Sequence, residues 1–514
     1  MLKLLAVLFI ACLVACTTEP DQKTIEVSGI VFIEDDSDAS GFVIGSGVTV
    51  ELYRFVPLAP KLLEINRDYP QIGVHVSQET EFDHRIHGSF RVRTTVTGAD
   101  GRFSFSGLAP ENYNLVFLPK VLDAAEKTSL RYMFNKQGDV GRIELLRAEN
   151  VRQVVSEPMV FEAGRQYNFN HSQTNISNAT VTIQPGAILA VGAGNSIVFN
   201  DVIFADAPPQ LDGHQFWWLT STYQLDEAGG FIDIENSRLE DLVRMFVNNI
   251  FIRSTSNVNI INAKVTFVNN GIQIEAPVTR IRQSVFDLNA SAISMTGGDV
   301  EIRNIINRRS ASGGRGSIFI GRDFSSNVYE ISFLNNISMN NHVNFDIYQM
   351  NLTFRNNYIT DNHMGLRTTN LQSLQQNVLI SNNIFNNNSI TYRNQGATAR
   401  INYNNFMRTR HPGEDIFFSS NGWNRSYGWI NFNNFEETEN RLLGMGTIGS
   451  PSNPSSVIDN IDARNNFFLN PNPRLRICDK NCVREGHSCS NAMHEFELSN
   501  PPLRDRIGNA GIRG

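Results

Sequence analysis

Lysine is almost missing from most of this chain. After Glu149 only Lys264 and Lys480 remain, which weakens any mechanism in that stretch built on a lysine base. There is no surplus of positive charge either. The formal net charge is -7 with 18% charged residues, so no basic footprint points to a nucleic-acid partner. Beyond the first twenty residues no run is apolar enough to cross a bilayer as a helix. Five cysteines in 514 residues are too few for a disulfide-framed scaffold. From about residue 180 onward helix formers are also scarce, and β-branched and aromatic residues take their place.

The chain does hold 41% hydrophobic residues and 34 phenylalanines, enough for a large core. Together with abundant asparagine, this favours many short buried strands joined by tight turns. The opening "MLKLLAVLFIACLVACTTEP" has Lys3 as its positive end and Leu4 to Val14 as a short apolar run, the pattern of a secretory signal. Its end, Leu13-Val14-Ala15-Cys16, resembles the bacterial lipobox. That resemblance implies a signal peptide over 1–15, lipidation of Cys16, and residues 16–23 as a tether to the lipid bilayer. Thr17 in place of Asp implies the outer membrane of the cell envelope.

Residues 24–148 read as one unit. "TIEVSGIVFIE" and "GVTVELYRF" alternate, and Asp100-Gly101 stands between two further alternating runs, a hairpin signal. Phe103 and Phe105 share one face of their strand. With Gly29, the strand around Val48 to Tyr53, Leu108, Pro110 and Tyr113, the segment resembles the carboxypeptidase regulatory-like domain. This family is a small transthyretin-like β-sandwich that serves as spacer or interaction module and implies no chemistry. The stretch from Val56 to Arg91 is longer than that pattern needs.

A different pattern begins at 149. "NATVTIQPGAILAVG" suggests an entry coil, and Asn-bearing turns then recur after apolar alternation. Turn residues set two after an inward apolar position fall at Asn236, Asn262, Gln283, Asn304, Asn335, Asn356, Asn382, Asn405, Asn434 and Asn465. Spacings in the twenties predict a solenoid. The strings "LISNNIFNNN" and "ARNNFFLNP" resemble the repeats of right-handed parallel β-helices, with asparagines at stacked turns hydrogen-bonding along the axis. The predicted fold is therefore all-β, a small β-sandwich followed by a right-handed parallel β-helix over 149–475. A cap over 476–514 follows, carrying Cys478, Cys482 and Cys489. Their pairing is open: one disulfide with a spare thiol fits, while a metal site with His487 and His494 has no standard zinc spacing. No metal or cofactor is assigned.

Two coils carry an unusual polar set. Asn335 and Asn356 are 21 residues apart, as are His342 and His363, and Asp346 and Arg367. If Val343, Phe345 and Ile347 point inward, strict alternation sends His342, Asn344 and Asp346 outward. His363, Gly365, Arg367, Ser389, Thr391 and Arg393 then extend the same rows. Asp346 is expected to pair with Arg367 across neighbouring strands. The face is either an inert solvated surface or a saccharide-binding one, since guanidinium forks suit carboxylate and sulfate groups. A loop with Arg308, Arg309, Arg315 and Arg322 leaves the coil just before it. Among the aromatics, Phe216, Trp217 and Trp218 are expected in the core, Trp429 inward, and Trp423 and Tyr427 on a loop that could bind.

Many parallel β-helices are polysaccharide lyases, hydrolases or epimerases. The Asn-Thr-Asp, Gly-His-Gly and Arg-Ile-Lys motifs of the polygalacturonase-like family do not occur in this region, nor does the epimerase Asp-Pro-His-Asp. The expected function is therefore a surface or periplasmic lipoprotein binding carbohydrate, such as a polysaccharide, or another envelope component, without clear catalysis. The alternatives are a lyase acting on acidic glycans, with His342 and His363 as catalytic candidates and Asp346, Arg367, Arg393, Arg315 and Arg322 as ligand-binding residues, or a structural, adhesive rod.

Overall fold

A computed structural model describes residues 23–123, 126–192, 194–205, 215–221, 249–268, 271–310, 316–321, 328–348, 350–370, 376–421, 427–436, 441–448, 461–462, 465–469 and 474–477. The fold is all-β and divides into two units. One takes the chain up to Pro57 and Phe82–Ala148; the other takes Leu58–Glu81 and everything from Glu149.

The first unit is a pair of four-stranded sheets. Ile25–Glu34 pairs antiparallel with Phe42–Ile44 and Arg102–Leu108, and parallel with Gly138–Leu145. The second sheet runs Arg91–Val96, Thr49–Arg54, Tyr113–Phe117, Arg131–Lys136, all antiparallel. Alternation buries Val27, Val31, Val50, Leu52, Phe103, Phe105, Leu115 and Phe117 in one core. Gly29 is required there, because a Cβ would lie 2.8 Å from Ile143 and 3.0 Å from Phe103. The Asp100-Gly101 turn forms, with Gly101 at φ +74°, but it is not a hairpin. Its flanking strands belong to opposite sheets, so the turn links the two layers.

The second unit is a parallel β-helix. Each coil contributes strands to three faces, as in the stack Val285, Ile306, Ile337, Tyr358, Ile384 on the first face. Two bends per coil use left-handed backbone five residues apart: Asn262 and Phe267, Gln283 and Leu288, Asn304 and Arg309, Asn335 and Asn340, Asn356 and Asp361, Asn382 and Asn387. Asparagine suits this conformation better than other side chains do. The next coils break the sequence-based alignment. There the left-handed residues are Tyr403 and Phe432, not Asn405 and Asn434, and Asn465 restores the pattern.

The residue after each first bend forms the ladder. Asn336, Asn357, Asn383, Asn404, Asn433 and Asn466 are buried and joined amide to amide at 2.9–3.1 Å. Each of the first five also donates to the oxygen of an earlier coil residue, as Asn357 does to Phe333 at 3.0 Å. A shorter ladder, Asn341, Asn362 and Asn388, follows the second bend. The doubled asparagines at 335–336, 356–357, 382–383 and 465–466 thus do two jobs, the first turning the chain and the second satisfying backbone groups inside it.

Among the described residues, the third-face strands Ile203–Ala205 and Val258–Ile261 do not pair. Beside them lies a cavity of about 80 Å³ lined by Leu189, Phe199, Trp217, Leu219, Ile250 and Ile272 among others. Its walls are mostly apolar, with Asn259 a polar side chain among them. Phe216, Trp217 and Trp218 are buried as expected.

The long stretch Val56 to Arg91 has a structural role that its sequence did not disclose. Residues 58–81 form an arm on the first face of the β-helix. Helix α1 (Pro60–Asp68) begins with Pro60 in its first turn, where the missing N–H costs nothing, and buries Leu62 and Ile65. It ends at Tyr69, before Pro70, as pre-proline residues avoid helical backbone. The Tyr69 ring lies 6.1 Å from Tyr358, and Lys61 stands 5.4 Å over the same Tyr358 ring. Gly73 donates to the Asn335 oxygen at 2.7 Å, and a Cβ on it would meet Ile337 at 2.4 Å. Further along, helix α2 (Gln78–Glu81) ends the arm. The outward apolar row Val285, Ile306, Ile337 and Tyr358 is therefore buried.

Candidate functional site

The second face begins just after the second bend of each coil. His342 and His363 stand there exposed, in adjacent coils, with their rings stacked at 4.9 Å and 22°. Further along, Asp346, Arg367 and Arg393 are in register. Arg367 grips Asp346 with both arms of its guanidinium, Nε to Oδ1 at 2.8 Å and Nη2 to Oδ2. The hydrogen bond to Asp346 raises the Arg367 pKa further, so the fork stays charged. Burial, and then the Asp346 charge, push the Tyr348 phenol up. The 21-residue spacing thus brought the predicted residues together, and the predicted ion pair forms.

Four outward placements fail here, since Asn344, Asp346, Gly365 and Thr391 are all buried. Asp346 is not exposed: its accessibility is 0%, because Gly316 of the preceding coil passes so close that a Cβ on it would lie 2.7 Å from Asp346 Cβ. A carboxylate enclosed and bound by a guanidinium is unavailable to a solvent cation or a substrate proton. Asn344 is also buried, and accepts a hydrogen bond from Asn307 at 3.1 Å. Asn307 lies in the inward row that contains Phe286 and Ile359. Strict alternation breaks because the strand is still leaving a corner at Asn344. Ser389 and Arg393 are partly exposed, and Thr391 is buried.

The arginine-rich loop dissolves as a unit. Arg315 and Arg322 lie outside the described residues, as do Cys16, Trp423, Cys478, Cys482, Cys489, His487 and His494. Arg308 and Arg309 are not on a solvated loop. Arg308 ends the strand Ile306–Arg308 and is 3% exposed. It binds Asp287 at 2.7 and 3.0 Å and Glu81 of the arm at 2.8 and 2.9 Å. Arg309 holds the same Asp287 at 2.7 Å. Burial alone would raise the Asp287 carboxyl, but the Arg308 and Arg309 charges outweigh it and hold the group well below the usual carboxylate range. Nearby, Glu79 accepts the backbone N–H groups of Gln215 and Phe216 at 3.0–3.2 Å. Lys264, 2% exposed, donates to the backbone carbonyl oxygen of Glu79 at 2.6 Å and stands 4.1 Å over the Trp218 ring. These charges lock the arm in place and leave the second face as the candidate site.

Trp429 is the other correction. It faces outward and is 41% exposed, in register with Arg400 on the third face. Gly428 and Ile430 take the inward positions beside it. Tyr427 begins the strand Tyr427–Asn431 rather than lying on a loop. Among the described residues no group of three His, Cys, Asp or Glu side chains is arranged to hold a metal ion.

No protein-family model matches the chain, and no curated protein matches its sequence. Among solved structures, one similar chain is a Pseudomonas aeruginosa protein described as a "putative carbohydrate binding protein". It is 15% identical, covers 25% of this chain and 92% of its own length, and superposes with a TM-score of 0.15. A likeness that slight carries no inference about fold or ligand.

Proposed function

We propose that this protein is a lipid-anchored envelope component whose β-helix binds an acidic carbohydrate on its second face, without chemistry of its own. The observation that carries this reading is the exposed, stacked His342–His363 pair on the same face as the Arg367 and Arg393 row. Guanidinium groups match carboxylate or sulfate geometry, and imidazole edges offer donors to hydroxyls. The burial of Asp346 favours binding over lysis, because the one carboxylate in the set already serves Arg367. The anchor rests on the lipobox-like end of the signal at Cys16, and the first unit would act as a spacer between that anchor and the β-helix.

The test uses the full chain in native affinity gels containing polygalacturonate or dextran, with the ultraviolet absorbance of unsaturated uronate followed in the same mixtures. Polygalacturonate should retard the protein, and His342→Ala with His363→Ala and Arg393→Ala should weaken retention about tenfold or more. Absorbance should stay flat. A rise that disappears in His363→Ala would make the protein a lyase, and no retardation by either polymer would remove carbohydrate binding altogether. Incorporation of labelled palmitate, absent in Cys16→Ser, tests the anchor.

A further inference from the structure

Two late coils place large aromatic residues where the other coils place amides. At the first bend, the left-handed position holds Asn262, Gln283, Asn304, Asn335, Asn356 and Asn382, and then Tyr403 and Phe432 at φ +56° and +60°. A bulky side chain in that conformation is strained, and such strain persists where something else requires the residue. Packing does not require Phe432, which is 40% exposed. Its ring stacks on Tyr403 at 5.5 Å and 10°, so the pair forms a flat surface at the corner.

Three residues earlier in the same coil stands Trp429, also exposed. On an extended strand that separation is about 10 Å. Arg400, one coil below Trp429 and in register with it, carries its guanidinium 5.5 Å from the indole centroid. Arg400 is exposed and has no carboxylate partner among the described residues. The next residue down the row, Leu379, is exposed as well.

We propose that Trp429, Tyr403, Phe432 and Arg400 form a second carbohydrate subsite, on which sugar rings of a uronate-bearing chain stack while Arg400 pairs with a carboxylate. This deepens the carbohydrate reading but uses a different face from His342 and His363. Aromatic faces bury the apolar side of a sugar ring and leave its hydroxyls in water, since the ring quadrupole suits polarised C–H groups. An unpaired guanidinium beside them adds charge complementarity to an anionic glycan. The same chemistry makes a neutral polymer a poor ligand for Arg400.

The experiment again uses the full chain in affinity gels with polygalacturonate and dextran. The decisive variant is Tyr403→Asn with Phe432→Asn. It installs the residue used by earlier coils, so its unfolding midpoint should match or exceed that of the parent while polygalacturonate retention falls about tenfold. Trp429→Ala, on the surface, should fall similarly with no change in midpoint, and Arg400→Gln should weaken polygalacturonate retention while leaving any dextran retention intact. Parent-like retention in the Asn pair and in Trp429→Ala would overturn this subsite while leaving the proposed function standing. No retention of the parent protein would overturn both. A dimer seen in sedimentation and dispersed by Trp429→Ala would give the patch to a second copy of the chain and refute the proposal.

Discussion

Replacing Arg308 with Ala should release the arm. The guanidinium makes four hydrogen bonds, two to Glu81 and two to Asp287, all between 2.7 and 3.0 Å. The side chains of Arg308, Glu81 and Asp287 are 4%, 9% and 4% exposed, so removing the cation strands buried negative charge. Such a break costs about 3–5 kcal/mol. Asp287 keeps Arg309, so the loss should fall mainly on Glu81 and hence on residues 58–81. At about 1.4 kcal/mol per tenfold, the lower figure corresponds to roughly a hundredfold increase in local opening. Amide hydrogen exchange can read this at Leu63 and Tyr69, whose N–H groups close turns of α1 onto Ala59 and Ile65. The ladder coils around Asn357 should stay protected. Arg309→Ala, at a site 24% exposed, should have a smaller effect. Unchanged exchange in α1 after Arg308→Ala would refute the view that this charge cluster holds the arm.

Asn357→Ala should be far more damaging than its size suggests. It removes the acceptor for the Asn336 N–H and side-chain amide and the donor to the Phe333 oxygen, worth about 3–5 kcal/mol in buried unmade bonds. A urea midpoint within the range of ordinary surface variants would sink that account. In the first unit, burial lowers the His84 pKa from 6.5 to about 4, with Nδ1 2.6 Å from the Tyr132 hydroxyl. The folded state therefore binds the proton less readily than the unfolded chain. This unit should be fully stable above pH 6.5 and lose up to about 3 kcal/mol as pH falls toward 4. His84→Gln should flatten that slope, and an unaltered slope would refute it. Asp287 acts in a lower window, its stabilisation present at neutral pH and lost only as pH falls below the ordinary carboxylate range near 3.8.

Much of the β-helix could be read directly, because its repeat is a local pattern. The doubled asparagines marked the bends, and the 21-residue interval correctly aligned Asp346 with Arg367. Errors arose where one local rule was extended past a corner. Alternation counted from Phe345 and Ile347 sent Asn344 outward, although the corner leaves it among core neighbours. Turn residues counted two after an inward apolar position fall on Asn405 and Asn434, whereas the left-handed bends are at Tyr403 and Phe432. Anchoring on Asn434 instead of Phe432 misplaced that bend by two residues, a shift that keeps the period-two phase, so either anchor puts Ile430 inward and Trp429 outward and the inward placement of Trp429 broke alternation itself. The arm was illegible for a different reason. Its helix is short, and its partners, from Gln215 to Tyr358, lie well over a hundred residues away, beyond any periodicity. The burial of Asp346 likewise depends on the backbone of Gly316, which leaves no signal in side-chain chemistry.

The arm also sets an order of events during synthesis. The arm emerges early, but the coils it touches at Asn335, Ile337 and Tyr358 are complete only when Tyr358 has been made. From Glu81 to Tyr358 is 277 residues by subtraction of their positions, or about 14–55 s at ~5–20 residues per second. Through that interval the strands on either side, Thr49–Arg54 and Arg91–Val96, can pair with each other and hold the arm out as a closed loop. The nascent chain thus carries an undocked segment for about 14–55 s before its docking surface exists.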